Sequence, residues 1–130
     1  GMRFSYPDSY ALEEKDDVIV LMEKDIDIPE NGEGPTAMSI VVHTNPATTS
    51  LLGWVRSDNQ SNFQLSDGTH EEIEFRGIPS IFYVSDGLYL ADNIVIENKG
   101  KIIHMSVSYL TLEDEIRKDF SKLLQTIEFR

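Results

Sequence analysis

Residues 98–110 read Asn-Lys-Gly-Lys-Ile-Ile-His-Met-Ser-Val-Ser-Tyr-Leu, and this stretch decides the fold. From Lys101 to Leu110, side chains alternate with the period of a strand that has one face toward a core. One face carries Ile103, Met105, Val107 and Tyr109, and the other carries Ile102, His104, Ser106 and Ser108. Asn98-Lys99-Gly100 predicts a hairpin turn, because Asn and Gly tolerate positive φ. Such a short turn requires the preceding strand to pair antiparallel.

Apolar and alternating runs on both sides predict further strands, of which those near 18–22 and 36–43 should share one mixed or antiparallel sheet with Lys101–Leu110. The predicted ranges are Arg3–Tyr6, Asp17–Met22, Thr36–His43, Glu71–Arg76, Ile78–Ser85, Leu88–Glu97 and a short edge strand at Ile127–Arg130. A turn at Asp86-Gly87 separates two of them. In Thr36–His43, Ser39, Val41 and His43 share one face, opposite Met38, Ile40 and Val42.

Two helices complete the expected α+β architecture. The first runs from Leu51 to about Ser57, with N-cap oxygens available from Thr48, Thr49 and Ser50. The second runs from Leu112 to about Gln125, with Thr111 as N-cap and Asp114 at a capping-box-like spacing. Its apolar stripe consists of Leu112, Ile116, Phe120, Leu123, Leu124 and Ile127. A stripe of this width predicts packing on the sheet.

The composition excludes several classes of function. The chain has 130 residues, a formal net charge of −12 and no cysteine. This length fits one domain, residues 1–130. An acidic chain repels phosphate backbones, so we expect no nucleic-acid partner. We expect no membrane-spanning segment, since no apolar run reaches about 18 residues. Disulfides and thiolate metal sites are absent because there is no cysteine.

The loop Glu23–Gly34 holds the only sequence cluster that resembles a cation site. Its oxygen-bearing side chains are Asp25, Asp27, Glu30, Asn31 and Glu33. The EF-hand spacing fails, because Pro29 occupies the position of the third ligand. A solvated loop without metal is therefore predicted. Residues 32–37 match the pattern Gly-x-Gly-x-x-Ala but precede a predicted strand. A dinucleotide-binding motif would have to open a helix, so we predict no dinucleotide site here.

No catalytic motif stands out, and we predict no catalytic, cofactor-binding or metal-binding residue. His43, His70 and His104 are each more than four residues from the next histidine, so no local metal pair exists. His43 and His104 could still share one face of the sheet. The adjacent acids of 13–14, 16–17 and 71–72 point to opposite faces if they lie on strands. Aromatic residues could line a pocket or belong to the core, and core is favoured: Trp54, Phe63, Phe82, Tyr83, Tyr89 and Tyr109.

Five segments, in order, resemble the PsbP-like superfamily, which includes the photosystem II extrinsic protein PsbP and the Ran-binding Mog protein. Phe4–Tyr10 resembles its first-strand signature, and Asn45–Trp54 resembles the short helix after its third strand. Gly77–Ser80 resembles its Gly-x-Pro entry to a strand. Asn98–His104 resembles its hairpin, and Phe120–Phe129 its closing helix and last phenylalanine.

The resemblance implies an α/β/α sandwich around a largely antiparallel sheet, and a non-enzymatic binding or accessory role. A protein partner, not identified by the sequence, is then expected, and no cofactor. The alternative is a small hydrolase or isomerase whose site is assembled from distant residues. A pocket that joins His43 or His104 to a carboxylate within hydrogen-bond reach would favour this alternative. Because many bacterial members are exported, the resemblance favours the cell envelope or secretion, whereas a native start at Met2 would favour the cytoplasm. The oligomeric state stays open.

Overall fold

The elements of the fold follow one another as strands, a short helix, a four-strand meander and a closing helix. In the computed structural model, residues 2–24, 36–45 and 50–129 are described. Within these ranges the elements are β1 (Met2–Arg3), β2 (Tyr10–Lys15), β3 (Val18–Glu23), β4 (Met38–Thr44), α1 (Leu51–Ser57), β5 (Glu71–Phe75), β6 (Ile78–Asp86), β7 (Leu90–Asn98), β8 (Lys101–Tyr109), α2 (Glu115–Thr126) and β9 (Glu128–Phe129). Two short 3₁₀ helices lie at 59–61 and 63–65.

Seven strands form one sheet in the order β2-β3-β4-β8-β7-β6-β5. Each neighbouring pair is antiparallel. The predicted strands at 18–22, 36–43 and 101–110 are confirmed as members of this sheet, with ends shifted by one or two residues. The chain is therefore α+β with a mostly antiparallel sheet. The strand that decided the fold, β8, lies between β4 and β7.

Two-residue turns set the register of three hairpins, β2–β3, β5–β6 and β7–β8. Lys99 and Gly100 have φ of 53° and 79° and lie between the paired residues Asn98 and Lys101. This left-handed pair matches the twist of the flanking strands. The hairpin is confirmed, but Asn98 belongs to β7, so the positive φ falls on Lys99 rather than on Asn98.

The first strand-like run was predicted wrongly. Extended pairing at the start of the chain covers only Met2–Arg3, which pairs with β9 in a separate two-stranded sheet. The predicted edge strand near residue 127 is confirmed as β9. Strand β2 was not predicted at all, because five of its six residues are exposed and charges interrupt any alternation.

The start of α2 also differs from the prediction. The helix begins at Glu115 with Asp114 as N-cap, whereas Thr111 lies in a turn before it. The carboxylate of Asp114 accepts hydrogen bonds from the backbone N–H of Leu110 and Thr111 and from the Thr111 hydroxyl. These bonds close a turn ahead of the helix, so Leu112 is 58% exposed and does not belong to the buried stripe.

One face of the sheet packs against α2. Its buried cluster contains Tyr10, Leu21, Met38, Ile40, Ile94, Ile96, Ile103, Met105, Val107, Tyr109, Ile116, Phe120, Leu123 and Ile127. The buried carboxylates of Asp92 and Asp119 connect α2 to the sheet. Tyr109 donates to Asp92 Oδ1 at 2.6 Å, and Arg117 Nε donates to Asp92 Oδ2 at 2.8 Å. Tyr10 donates to Asp119 Oδ2 at 2.7 Å.

The other face packs against α1, which covers the strands β6, β7 and β8. Ser50 is the N-cap, as predicted, and its hydroxyl accepts from Gly53 N–H at 3.1 Å. The buried cluster on this face contains Trp54, Val55, Ile81, Tyr83, Val95 and Ile102. Both predicted helices therefore bury apolar side chains against strands of the sheet.

Candidate functional site

A chain of buried polar side chains runs beneath α1. His104 is 4% exposed, and its Nε2 lies 2.8 Å from Asn93 Oδ1. The Asn93 amide donates to Ser85 Oγ at 3.1 Å and to the Ala91 carbonyl at 3.2 Å. Because the Asn93 oxygen is then the acceptor, His104 carries a proton on Nε2. Burial, with a smaller contribution from the charge of nearby His43, lowers the pKa of His104 to about 4, so the ring is neutral at pH 7.

His43 lies on the same face, with its ring centroid 4.9 Å from that of Trp54. The two histidines lie on adjacent strands, since Val41 pairs with His104 and His43 with Ile102. The prediction that they share a face is confirmed. His43 Nε2 is buried without a hydrogen-bond partner. Burial lowers the pKa of His43, and the negative charges of Asp58 and Asp17 oppose this shift in part.

This arrangement matters for the enzymatic alternative. Among the described residues, no carboxylate forms a hydrogen bond with His43 or His104. The nearby serine oxygens are used internally, because Ser61 Oγ donates to the carbonyls of Val55 and Asp58. Tyr83 donates to the Ser61 carbonyl. The network thus fixes α1 and the following turn onto the sheet rather than presenting a reactive group.

Exposed apolar side chains gather at one end of the sheet, which we call the leucine end. Its members and their exposed fractions are Leu65 46%, Val84 41%, Leu88 78%, Leu110 66% and Leu112 58%. The pairing of Leu90 with Tyr109 places the β6–β7 turn beside the end of β8. Leu65 joins them, because its Cδ1 lies 3.4 Å from where a Cβ on Gly87 would be. Large exposed apolar patches mark interaction surfaces in soluble proteins.

A cavity of about 540 Å³ opens beside the leucine end. Its walls combine apolar side chains, such as Phe82, with the acids Asp67, Glu71 and Asp86. Two hydrogen bonds from Thr69 hold the pKa of Asp67 below its usual value, so this carboxylate stays charged. Of the aromatic residues weighed as pocket lining, Phe82 and Tyr83 border this cavity, and Tyr83, like Trp54 and Tyr109, is itself buried in the core.

Cation binding has little support in the described part of the chain. There, no group of three or more His, Asp or Glu residues has the geometry to hold a metal. His70 lies near the Phe63 ring, at 6.3 Å between centroids, and apart from the other two histidines. No helix within the same residues is long and apolar enough to span a membrane.

The acidic loop lies mostly outside the described residues, since 25–35 are not among them. The prediction that it binds no structural metal therefore stands as a prediction. Calorimetric titration with millimolar CaCl₂ should show no saturable heat. A dissociation constant below about 10⁻⁵ M, within the range of calcium sensors, would contradict it.

Sequence reasoning did not find the leucine end. The sequence pattern places Leu88 in a strand and Leu112 in the helical stripe, and both positions imply buried partners. One signal was available, because Leu88 follows Gly87 at the tip of a turn, where an apolar side chain has little to pack against. The cavity could not be found either, since it depends on the segment 65–70 lying beside the end of β6, which no sequence pattern predicts.

Comparison with known proteins identifies the fold. No protein-family model matches the sequence, and no curated protein matches it. The solution structure of the cyanobacterial PsbP protein CyanoP from Synechocystis sp. PCC 6803 superposes with a TM-score of 0.65 at 13% sequence identity. The match covers 100% of this chain and 87% of that one. The similarity to the Ran-binding Mog protein stays a prediction. The chain has a PsbP-like fold.

Proposed function

We propose that this chain is a non-enzymatic accessory domain, arranged as a single α/β/α sandwich, that binds a protein partner through the leucine end. The observation that carries the proposal is the placement of five exposed apolar side chains at one end of the sheet, as described above. Three further large hydrophobic side chains are exposed elsewhere in the described residues: Tyr6 at 39%, Leu12 at 36% and Val18 at 38%.

The energetics favour an interface there. Leu88 is 78% exposed, so it contributes almost nothing to the core of the isolated chain. Burying a leucine side chain against a partner is worth about 1.5–3 kcal/mol. Leu110 and Leu112 are also more than half exposed, and they follow β8 where the chain turns toward α2. Three such residues on two neighbouring turns can supply the apolar centre that protein interfaces need.

The alternative, a small hydrolase or isomerase, would be favoured by a histidine–carboxylate pair in an accessible pocket. His104 instead bonds to the amide oxygen of Asn93 and is buried. Its lowered pKa follows from burial, and a histidine that is neutral and committed to an amide is a poor general base. The geometry therefore supports binding better than catalysis.

The test compares two doubly substituted chains, each tagged and expressed in the native organism. L88D/L110D places charges at the leucine end, and L12D/V18D is the matched control at exposed apolar positions elsewhere. After chemical crosslinking, we expect wild type and control to recover the same partner, and L88D/L110D to recover at least about 30-fold less, the size of one interface hot spot.

Circular dichroism must show equal melting temperatures for both variants, so that unfolding does not explain a loss. Equal recovery by all three chains would refute the proposed surface. Turnover of a small ester or amide substrate that disappears in H104Q would favour the enzymatic alternative.

A further inference from the structure

The cavity beside the leucine end exists because β6 extends beyond the end of its neighbour β5. Strand β5 pairs with β6 only from Ile78 to Phe82. Strand β6 continues to Asp86, and there the segment 65–70 passes alongside without pairing. The cavity of about 540 Å³ occupies the space into which β5 would have extended. This volume lies within the usual range of ligand-binding pockets.

The wall formed by β6 presents unpaired backbone groups. Hydrogen-bonded and non-bonded pairs alternate along an antiparallel ladder. Pro79 has no N–H, so its pair with Glu74 is a non-bonded one, and the pairs at Ser80 and Phe82 carry the bonds to β5. The same alternation directs the N–H and C=O of Val84 toward the cavity. No described residue supplies a backbone partner for them.

The remaining walls define which side chains fit. Asp67, Glu71 and Asp86 contribute three carboxylates, and neither Lys nor Arg lines the cavity. Leu65 and Phe82 contribute apolar surface between them. An occupant with alternating cationic and apolar side chains would match both the carboxylates and the apolar surface. A second copy of this chain would not, because its own sheet edges carry Glu13, Glu14 and Glu71–Glu74.

We propose that the cavity takes up an extended, cationic segment of the protein partner as an added strand beside Val84–Asp86. This inference rests on the proposed function and names the chemistry of the segment that the partner brings. Main-chain hydrogen bonds to Val84 hold the segment, as in other cases of strand addition. Its lysine or arginine side chains reach the carboxylates of Asp67, Glu71 and Asp86. Its apolar side chains face Leu65 and Phe82, next to the leucine end.

The probe is the peptide acetyl-Ser-Lys-Val-Arg-Val-Lys-Ser-amide, titrated into the ¹⁵N-labelled full chain and followed by amide chemical shifts. We expect saturable shifts at residues 65–71 and 82–86 and none at 10–15. The analogue with glutamate in place of lysine and arginine should not bind. The analogue N-methylated at all five residues from the first to the last lysine should bind at least about tenfold more weakly, because none of these residues can donate a main-chain hydrogen bond.

Two variants with the same charge change locate the site. E71Q/D86N should lower the affinity for the peptide at least about fivefold, since both carboxylates line the cavity. E13Q/E14Q, on the opposite edge of the sheet, should leave the affinity unchanged. The proposal is overturned by shifts centred on β2, by equal affinity of the N-methylated peptide, or by no saturation at millimolar peptide. If the native partner still depends on Leu88 and Leu110 in any of these cases, only this inference fails and the proposed function stands.

Discussion

Replacing Phe120 by alanine should lower the free energy of unfolding by about 3–5 kcal/mol. The side chain is 3% exposed and packs in the cluster between α2 and the sheet. Its removal loses the transfer free energy of the ring and leaves a cavity that close-packed neighbours fill only in part. Against a typical total stability of about 5–15 kcal/mol, this is a large share. Urea unfolding of wild type and F120A measures it.

Leu112→Ala is the matched control for this experiment. Leu112 was predicted in the same apolar stripe, but the structure places it outside α2 and largely exposed. Its truncation should change stability by less than about 0.5 kcal/mol, as for other exposed positions. A loss below about 1 kcal/mol for F120A would show that α2 does not bury its stripe in solution.

Acidification should destabilise the chain through His104. Its pKa is about 4 in the folded chain and about 6.5 when unfolded. Between these values the unfolded state binds more protons, so stability is full at neutral pH and falls as pH decreases toward 4. From this difference, about 2 kcal/mol should be lost between pH 7.5 and pH 5. His43 adds to the loss in the same direction, since burial also lowers its pKa.

Urea unfolding at the two pH values tests this, with H104Q compared with wild type. The glutamine amide at position 104 can still donate to Asn93 but does not titrate, so at least half of the loss should disappear. An unchanged pH dependence in H104Q would show that His104 is not buried in its neutral form.

The central strands were predictable because local pattern and tertiary environment agree there. In β8, alternation separated Met105 from His104 correctly, and each side chain is buried on the expected face. Even the shared face of His43 and His104 followed from alternation alone. The contacts of the two histidines could not be predicted, because Asn93 and Trp54 belong to other elements of the fold.

The errors occurred where a residue's partner is not set by its neighbours in sequence. Strand β2 buries only Tyr10, so its sequence shows no alternation of apolar and polar residues. Its extended conformation follows from pairing with β3. The Asp114 carboxylate accepts from the Thr111 N–H, as in a capping box, but the Thr111 hydroxyl donates to the same carboxylate instead of accepting from the Asp114 N–H. These bonds close a turn before the helix. The candidate binding surface combines Leu65, Leu88 and Leu110, which three separate turns bring to one end of the sheet, and no local pattern connects them.

The pairing of β1 with β9 has a consequence for the order of folding. Met2 pairs with Phe129, and Ser5 N–H donates to Thr126 Oγ1 at 2.9 Å, so both ends of the sequence meet. The hairpins of the meander close loops of two or three residues, whereas this pair closes a loop of nearly the whole chain. Contacts of such high sequence separation form late. The amide protons of β1 and β9 should consequently exchange with solvent while those of β7 and β8 remain protected, which makes the joined ends the first part of the molecule to open.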